Sequence, residues 1–153
     1  MGNFVTGTIV QNKAGATYEG TVYDRRLVLQ PPKGQEIFIF DPAEPISTDL
    51  SINEMYDLVL VPFTISVQIV SASPMADAPV DFDGWQGTVI DVHWKATKEE
   101  YRLIRPELYE GEWILLHTAF GNILLNPRSI KEMLSEGMIV QWARARVDLY
   151  AIV

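Results

Sequence analysis

The sequence predicts an all-β protein, and three observations carry that prediction. Apolar and polar residues alternate with period two through several β-branched runs, Gly, Pro and Asn punctuate those runs, and paired helix start and stop signals coincide in only one segment. Taken in order, Phe4, Val5 and Ile9 open a strand over residues 4–11, and further strands are predicted over 20–30 and 36–40. The clearest pattern runs from 57 to 70. There Val59, Val61, Phe63, Ile65, Val67 and Ile69 share one face and Thr64, Ser66 and Gln68 the other, as in a half-buried strand or a tight strand pair. Pro62 has no N–H for a ladder and marks an edge, a bulge or a bend in that run. Strands follow over 86–95, 112–118 and 122–125.

The one helix with full punctuation is residues 129–136. Ser129 and Glu132 form a capping box, Pro127 precedes it, and Gly137 stands where a left-handed cap ends a helix. Beyond it Met138, Val140 and Trp142 share a face, and then Val147, Leu149, Ala151 and Val153 share the next register. A turn or bulge is therefore expected near residues 143–146.

The chain also repeats itself at a spacing of about 80 residues. Val5-Thr6-Gly7-Thr8-Ile9-Val10 parallels Trp85-Gln86-Gly87-Thr88-Val89-Ile90, and Ile39-Phe40-Asp41-Pro42 parallels Leu124-Leu125-Asn126-Pro127. Ser51-Ile52-Asn53-Glu54-Met55 parallels Ser129-Ile130-Lys131-Glu132-Met133, each reading as a capping box, and a strand pair follows each, ending at Val70 and at Val153. Every half then reads strand, strand, strand, short helix, strand, strand. That order resembles the OB-fold, a small five-stranded Greek-key barrel, and the resemblance is one of topology with no residue motif. The expectation is tandem OB-like barrels over 1–72 and 85–153, packed as one unit, with 73–84 (rich in Ala, Pro and Asp) as linker. The alternative is a single antiparallel barrel of about 8–10 strands.

With 48% hydrophobic residues in 153, the chain carries ample apolar surface for a core. Its lack of Cys removes thiolate nucleophiles, Cys-type metal sites and disulfides, which fits a reducing cytoplasm. No run approaches the 18 or so apolar residues of a membrane span. Gly2 and Thr6 match the loose myristoylation pattern, but Phe4, Val5 and Ile9 read as strand. The formal charge of −8 opposes nonspecific attraction to nucleic acid or anionic lipid. Charge is also unevenly placed: no Lys or Arg lies between Gly34 and Trp94, whereas eight of the twelve basic residues and all four Trp lie after residue 80.

Chemistry has little to work with in the linear sequence. Asp91, His93 and His117 are the available two-His, one-carboxylate set for a metal, and Asp81-Phe82-Asp83-Gly84 opens like an acidic calcium loop but has no downstream Glu to complete it. Phosphate loops, dinucleotide fingerprints and nucleophile elbows are missing, and Glu99-Glu100 and Glu110-Gly111-Glu112 read as solvated acidic faces. A noncatalytic module without cofactor or metal is predicted. Trp94, Tyr101, Arg102, Arg105, Trp113, Trp142, Arg144 and Arg146 form the candidate binding surface, because aromatic and basic residues interleave there. The expected partner is a protein or a second copy of the chain, with single-stranded nucleic acid as the alternative and a small-molecule barrel or motif-free enzyme as the third reading.

Overall fold

A computed structural model describes residues 4–63, 67–71, 84–97, 100–127, 134–143 and 146–153. Its strands are β1 (Val5–Ala14), β2 (Thr17–Tyr18), β3 (Thr21–Val22), β4 (Arg25–Gln30), β5 (Ile37–Asp41), β6 (Met55–Pro62) and β7 (Gln68–Ser71) in the first half of the chain. In the second half they are β8 (Gly84–Trp94), β9 (Leu103–Ile104), β10 (Trp113–Thr118), β11 (Gly121–Leu125), β12 (Ile139–Ala143) and β13 (Val147–Ile152). Pro106–Tyr109 is a 3₁₀ turn, and no helix among the described residues is long and apolar enough to cross a membrane. The predicted helix over 129–136 falls mainly outside the described residues; Gly137 beyond it does take a left-handed backbone, at φ 89°.

The first sheet runs β5-β4-β1-β6-β13-β9 and is closed by a parallel pairing of β13 with β5. Five strands thus form a closed barrel in which β1, β4, β5, β6 and β13 take the first to fifth positions. The neighbour order 1-2-3-5-4, with strands three and five parallel, is that of the OB-fold. The second sheet runs β11-β10-β8-β12-β7, which is the same order of positions, 3-2-1-4-5, without a pairing of its outer strands among the described residues. A single 8–10-stranded barrel is not what forms, because the strands divide among a six-stranded, a five-stranded and a two-stranded sheet.

The fifth strands are exchanged. The sequence assigns residues 67–70 to the first barrel and 147–153 to the second, but β13 closes the first barrel and β7 edges the second sheet. Hence neither 1–72 nor 85–153 contains all the strands of its own unit. The physical reason lies at Pro62: β6 ends there, and the next N–H, of Phe63, bonds to the Arg146 carbonyl at 2.6 Å as the chain departs. The strand or strand pair predicted over 57–70 is accordingly two strands, but in different sheets. Residues 58–62 are also buried on both faces rather than one. Leu58 and Leu60 fill the barrel, and Val59 and Val61 pack outward on Trp113, Leu115 and Leu124 of the second sheet.

The duplication is visible in the hydrogen bonding. The N–H of Ile9 donates to Glu54 O at 3.0 Å and its carbonyl accepts from Asn53 N at 2.7 Å; Val89 makes the same pair with Met138 O at 2.8 Å and Gly137 N at 2.9 Å. Asn53, at φ 71°, therefore corresponds to Gly137, and the predicted match of Ser51–Met55 with Ser129–Met133 is shifted. In place of a capped helix, residues 51–53 make a turn that a left-handed residue ends. The shared Gly-Thr of the repeat has a steric cause. A Cβ on Gly7 would lie 2.7 Å from the Gln30 carbonyl oxygen of β4, and one on Gly87 3.1 Å from that of His117 on β10.

One buried ion pair ties the two halves together. Asp41, fully buried at the end of β5, pairs with Arg105, which is also buried. Arg105 donates further to Leu149 O at 2.7 Å and Ala43 O at 3.1 Å, while Asp41 accepts from Ser47 N at 2.7 Å.

Two outcomes follow for stability. In urea titrations, Gly7→Ala is expected to cost about 1–3 kcal/mol, as overpacking does, and Gly87→Ala less, because its nearest contacts are longer. Arg105→Ala is expected to cost about 3–5 kcal/mol by stranding the Asp41 carboxylate; pairing it with Asp41→Leu should recover only part, since the Leu149 and Ala43 carbonyls still lose their donor.

Candidate ligand groove

Alternation along the β4–β5 hairpin sets its two faces. Leu27, Leu29, Ile37, Ile39 and Asp41 point into the barrel, leaving Arg26, Val28, Phe38 and Phe40 outside. Cross-strand register pairs Arg26 with Phe40 and Val28 with Phe38. On β1, a bulge after Ile9 resets the register so that Gln11 lies beside Val28 and Lys13 beside Arg26. On the other side the parallel β13 brings Asp148 beside Phe40.

The result is a groove of about 890 Å³ lined by Gln11, Lys13, Arg26, Val28, Phe38, Phe40 and Arg146, among others. Lys13, Arg26 and Arg146 are its charged lining residues among those described, which include no carboxylate, in a chain of net charge −8. Phe38 is 72% exposed and Phe63, at the groove's end, 58%. Both rings thus leave apolar surface unburied. The loop carrying β2 and β3 stands at one end, held by a bond from Ala16 N to Asp24 Oδ1 at 2.9 Å. Arg25, beside it, is fixed by Asn12 Oδ1 at 2.8 Å, and Asn12 in turn donates to Ser47 O and Leu50 O.

At the opposite end Arg146 donates from Nε and Nη2 to the two Asp148 oxygens, at 2.8 and 3.0 Å, and its guanidinium lies over the rings of Phe40 and Phe63, 4.8 and 5.0 Å from their centres. Burial raises the Asp148 carboxyl above its ordinary 3.8, against the lowering effect of Arg146.

Most of the sequence-predicted surface is packed away. Trp113 (4% exposed) donates its indole N–H to Leu108 O at 3.1 Å, and Trp142 (2%) lies parallel to Trp85 with ring centres 6.2 Å apart. Trp94 is half-buried edge-on against Phe4. Tyr101 is half-buried in the packing between the sheets, and desolvation pushes its phenol up to about 12. Arg105 is spent on Asp41, Arg102 is exposed away from the groove lining, and Arg144 lies outside the described residues. Trp113, Trp94 and Tyr101 are apolar contacts between the two sheets, and Trp142 packs on Trp85 within the second. Among the described residues, Arg146 is the one predicted residue that lines the groove.

Lys13, Arg26, Phe38, Phe40 and Phe63 were not singled out by the sequence. Their available signal was Ile37-Phe38-Ile39-Phe40 opposite Arg25-Arg26, but a strand apolar at every position does not declare which face is wet. The metal set does not assemble. His117 pairs with Thr88 on β8 and bonds Asn122 at 3.0 Å, whereas His93, five residues along β8, contacts Glu112 at 2.6 Å. Among the described residues no three His, Asp or Glu side chains are grouped as for a metal. The exposed Glu112 carboxylate raises the His93 imidazole above its ordinary 6.5. A separate depression of about 400 Å³ beside Trp113 is lined by Glu107, Glu110 and Glu112, so the carboxylates gather away from the groove.

Comparison with protein-family models, with curated proteins and with solved structures finds no match.

The Arg146–Asp148 pair has a pH signature. A carboxyl whose folded pKa is raised contributes stability that is full below its unfolded value, about 3.8, and is lost as pH rises through the folded value. Because Arg146 opposes the rise, Arg146→Ala should move the Asp148 midpoint further upward and widen that window. Carboxyl-carbon NMR titration of both proteins checks it; an unmoved or lowered Asp148 midpoint contradicts the assignment.

Proposed function

We propose that the protein is a noncatalytic binding module that takes a short single-stranded nucleic acid in the β4–β5–β13 groove. The observation carrying this reading is the company of Phe38 and Phe40 with Lys13, Arg26 and Arg146 in a groove whose described lining holds no carboxylate, with Phe63 beside Arg146. Flat rings stack on unpaired bases of any sequence, and cations track the phosphates between them. Position supports it too, by fold analogy: strands two and three and the loops after strands one and four are the faces on which OB-folds take oligonucleotides and oligosaccharides. The barrel interior is filled by Ile9, Leu27, Leu29, Leu58, Leu60 and Leu149, which argues against a ligand held inside.

The net charge of −8 works against affinity at long range, so recognition rests on contacts within the groove. The second reading is a protein partner or self-association. It is favoured by exposed apolar side chains away from the groove lining, Ile52 at 51% and Met55 at 63%.

Anisotropy of a dye-labelled oligothymidylate is the direct test, since none of the four Trp lines the groove and intrinsic fluorescence would report poorly. Binding is expected at low salt and should weaken with a slope of about −0.7 per phosphate contacted. Lys13→Ala or Arg26→Ala should flatten that slope by about one contact, and Phe38→Ala should cost about 1–3 kcal/mol. Oligonucleotide binding absent at low salt, with self-association or protein capture lost on Met55→Asp, would transfer the function to the second reading.

A further inference from the structure

We infer that Phe40 and Phe63 form a two-sided clamp for one planar ring, a nucleobase, which the Arg146 guanidinium fills in the free protein. The inference rests on the groove reading above and assigns a subsite within it.

The two rings reach the same place from different strands. Phe40 is on β5 and Phe63 follows the end of β6; β13 pairs with both strands, Val147 standing opposite Ile39 on one side and Pro62 on the other. The bond from Phe63 N to Arg146 O at 2.6 Å fixes the remaining backbone. Register therefore brings the Arg146 guanidinium over both rings, 4.8 and 5.0 Å from their centres.

A guanidinium shares with a nucleobase a flat, delocalised, weakly hydrated face able to stack on a ring. A place over two rings that holds one such plane is where a base would stack. Two features make the occupant displaceable. The Arg146 side chain is 48% exposed, and at such exposure a cation over a ring is held weakly. Its charge is moreover neutralised in place by Asp148, so leaving the rings does not strand a buried cation. Displaced, the guanidinium stays at the groove edge beside the phosphates that flank the inserted base, converting a ring contact into a charge contact.

The test uses adenosine, which has a base and no phosphate, together with hexathymidylate, on the full chain labelled with 4-fluorophenylalanine. Arg146→Ala empties the clamp, Arg146→Lys keeps the charge without the plane, and Phe63→Leu removes one jaw; thermal melting establishes that each variant is folded. Arg146→Ala and Arg146→Lys are both expected to bind adenosine about fivefold or more tightly than the wild type, with fluorine signals of Phe40 and Phe63 moving. Phe63→Leu in the Arg146→Ala background should abolish the gain. Adenosine affinity unchanged or weakened in Arg146→Ala, or shifts confined to Phe38, overturns the clamp. If hexathymidylate still binds the wild type in that case, the groove reading survives without it; an adenosine gain with no hexathymidylate binding leaves the clamp and removes the groove reading.

Discussion

A carboxylate with no exposed surface must be neutralised where it stands, and Asp41 ends the strand at which the barrel closes. Its partner comes from far along the chain: Arg105 lies between β9 and the 3₁₀ turn, in the connection between the first and second strands of the other sheet. The same guanidinium binds the Leu149 carbonyl on β13 and the Ala43 carbonyl after β5, the two strands whose parallel pairing completes the barrel. Closure of one unit thus depends on a residue of the other. Such a pair adds little net stability over a well-packed apolar substitute, but breaking it is costly, and that asymmetry makes it a selector of one assembled state.

The exchange of fifth strands points the same way. β13 gives Leu149 and Ile152 to the barrel core and turns Ala151 outward to the packing between the sheets. With β6 likewise buried on both sides, the two strands form a wall common to both units. Two small barrels of this size would each have a meagre core. Sharing a wall lets Trp113, Leu115 and Leu124 bury against Val59 and Val61, apolar area that neither unit could cover alone.

Strand positions were legible in the sequence because they are local. Period-two patterning located β1, β5, β8, β10, β11, β12 and β13 closely, the predicted strand 20–30 divides into β3 and β4, and the glycines of the Gly-Thr repeat each lie where a side chain would strike the neighbouring strand. Partner choice was not legible. Nothing in residues 67–70 or 147–153 records which sheet they join, because a ladder is made of backbone groups common to all residues and register is set over long separations. The candidate binding surface is dispersed for a related reason. Trp and Arg are the residues of interfaces whether the interface is between molecules or between the two sheets of one chain, and here Trp113 and Arg105 serve the internal one.

The groove shows how an acidic chain can present a cationic site. Lys13 and Arg26 are adjacent on neighbouring strands, and like charges so placed repel unless something anionic is near. Within the sheet, Asp148 is the anion that the register supplies, and it is committed to Arg146 by two bonds. Lys13 and Arg26 thus face the groove with no carboxylate in its lining, while Glu107, Glu110 and Glu112 gather around a different depression. A folded chain tolerates that separation at the cost of some self-repulsion in each cluster, and the ligand proposed above would relieve one side of it. Phe38 has the same logic in apolar terms: at 72% exposed it forgoes burial that the Ile residues flanking it obtain, and a stacked base is the kind of flat surface that would restore it.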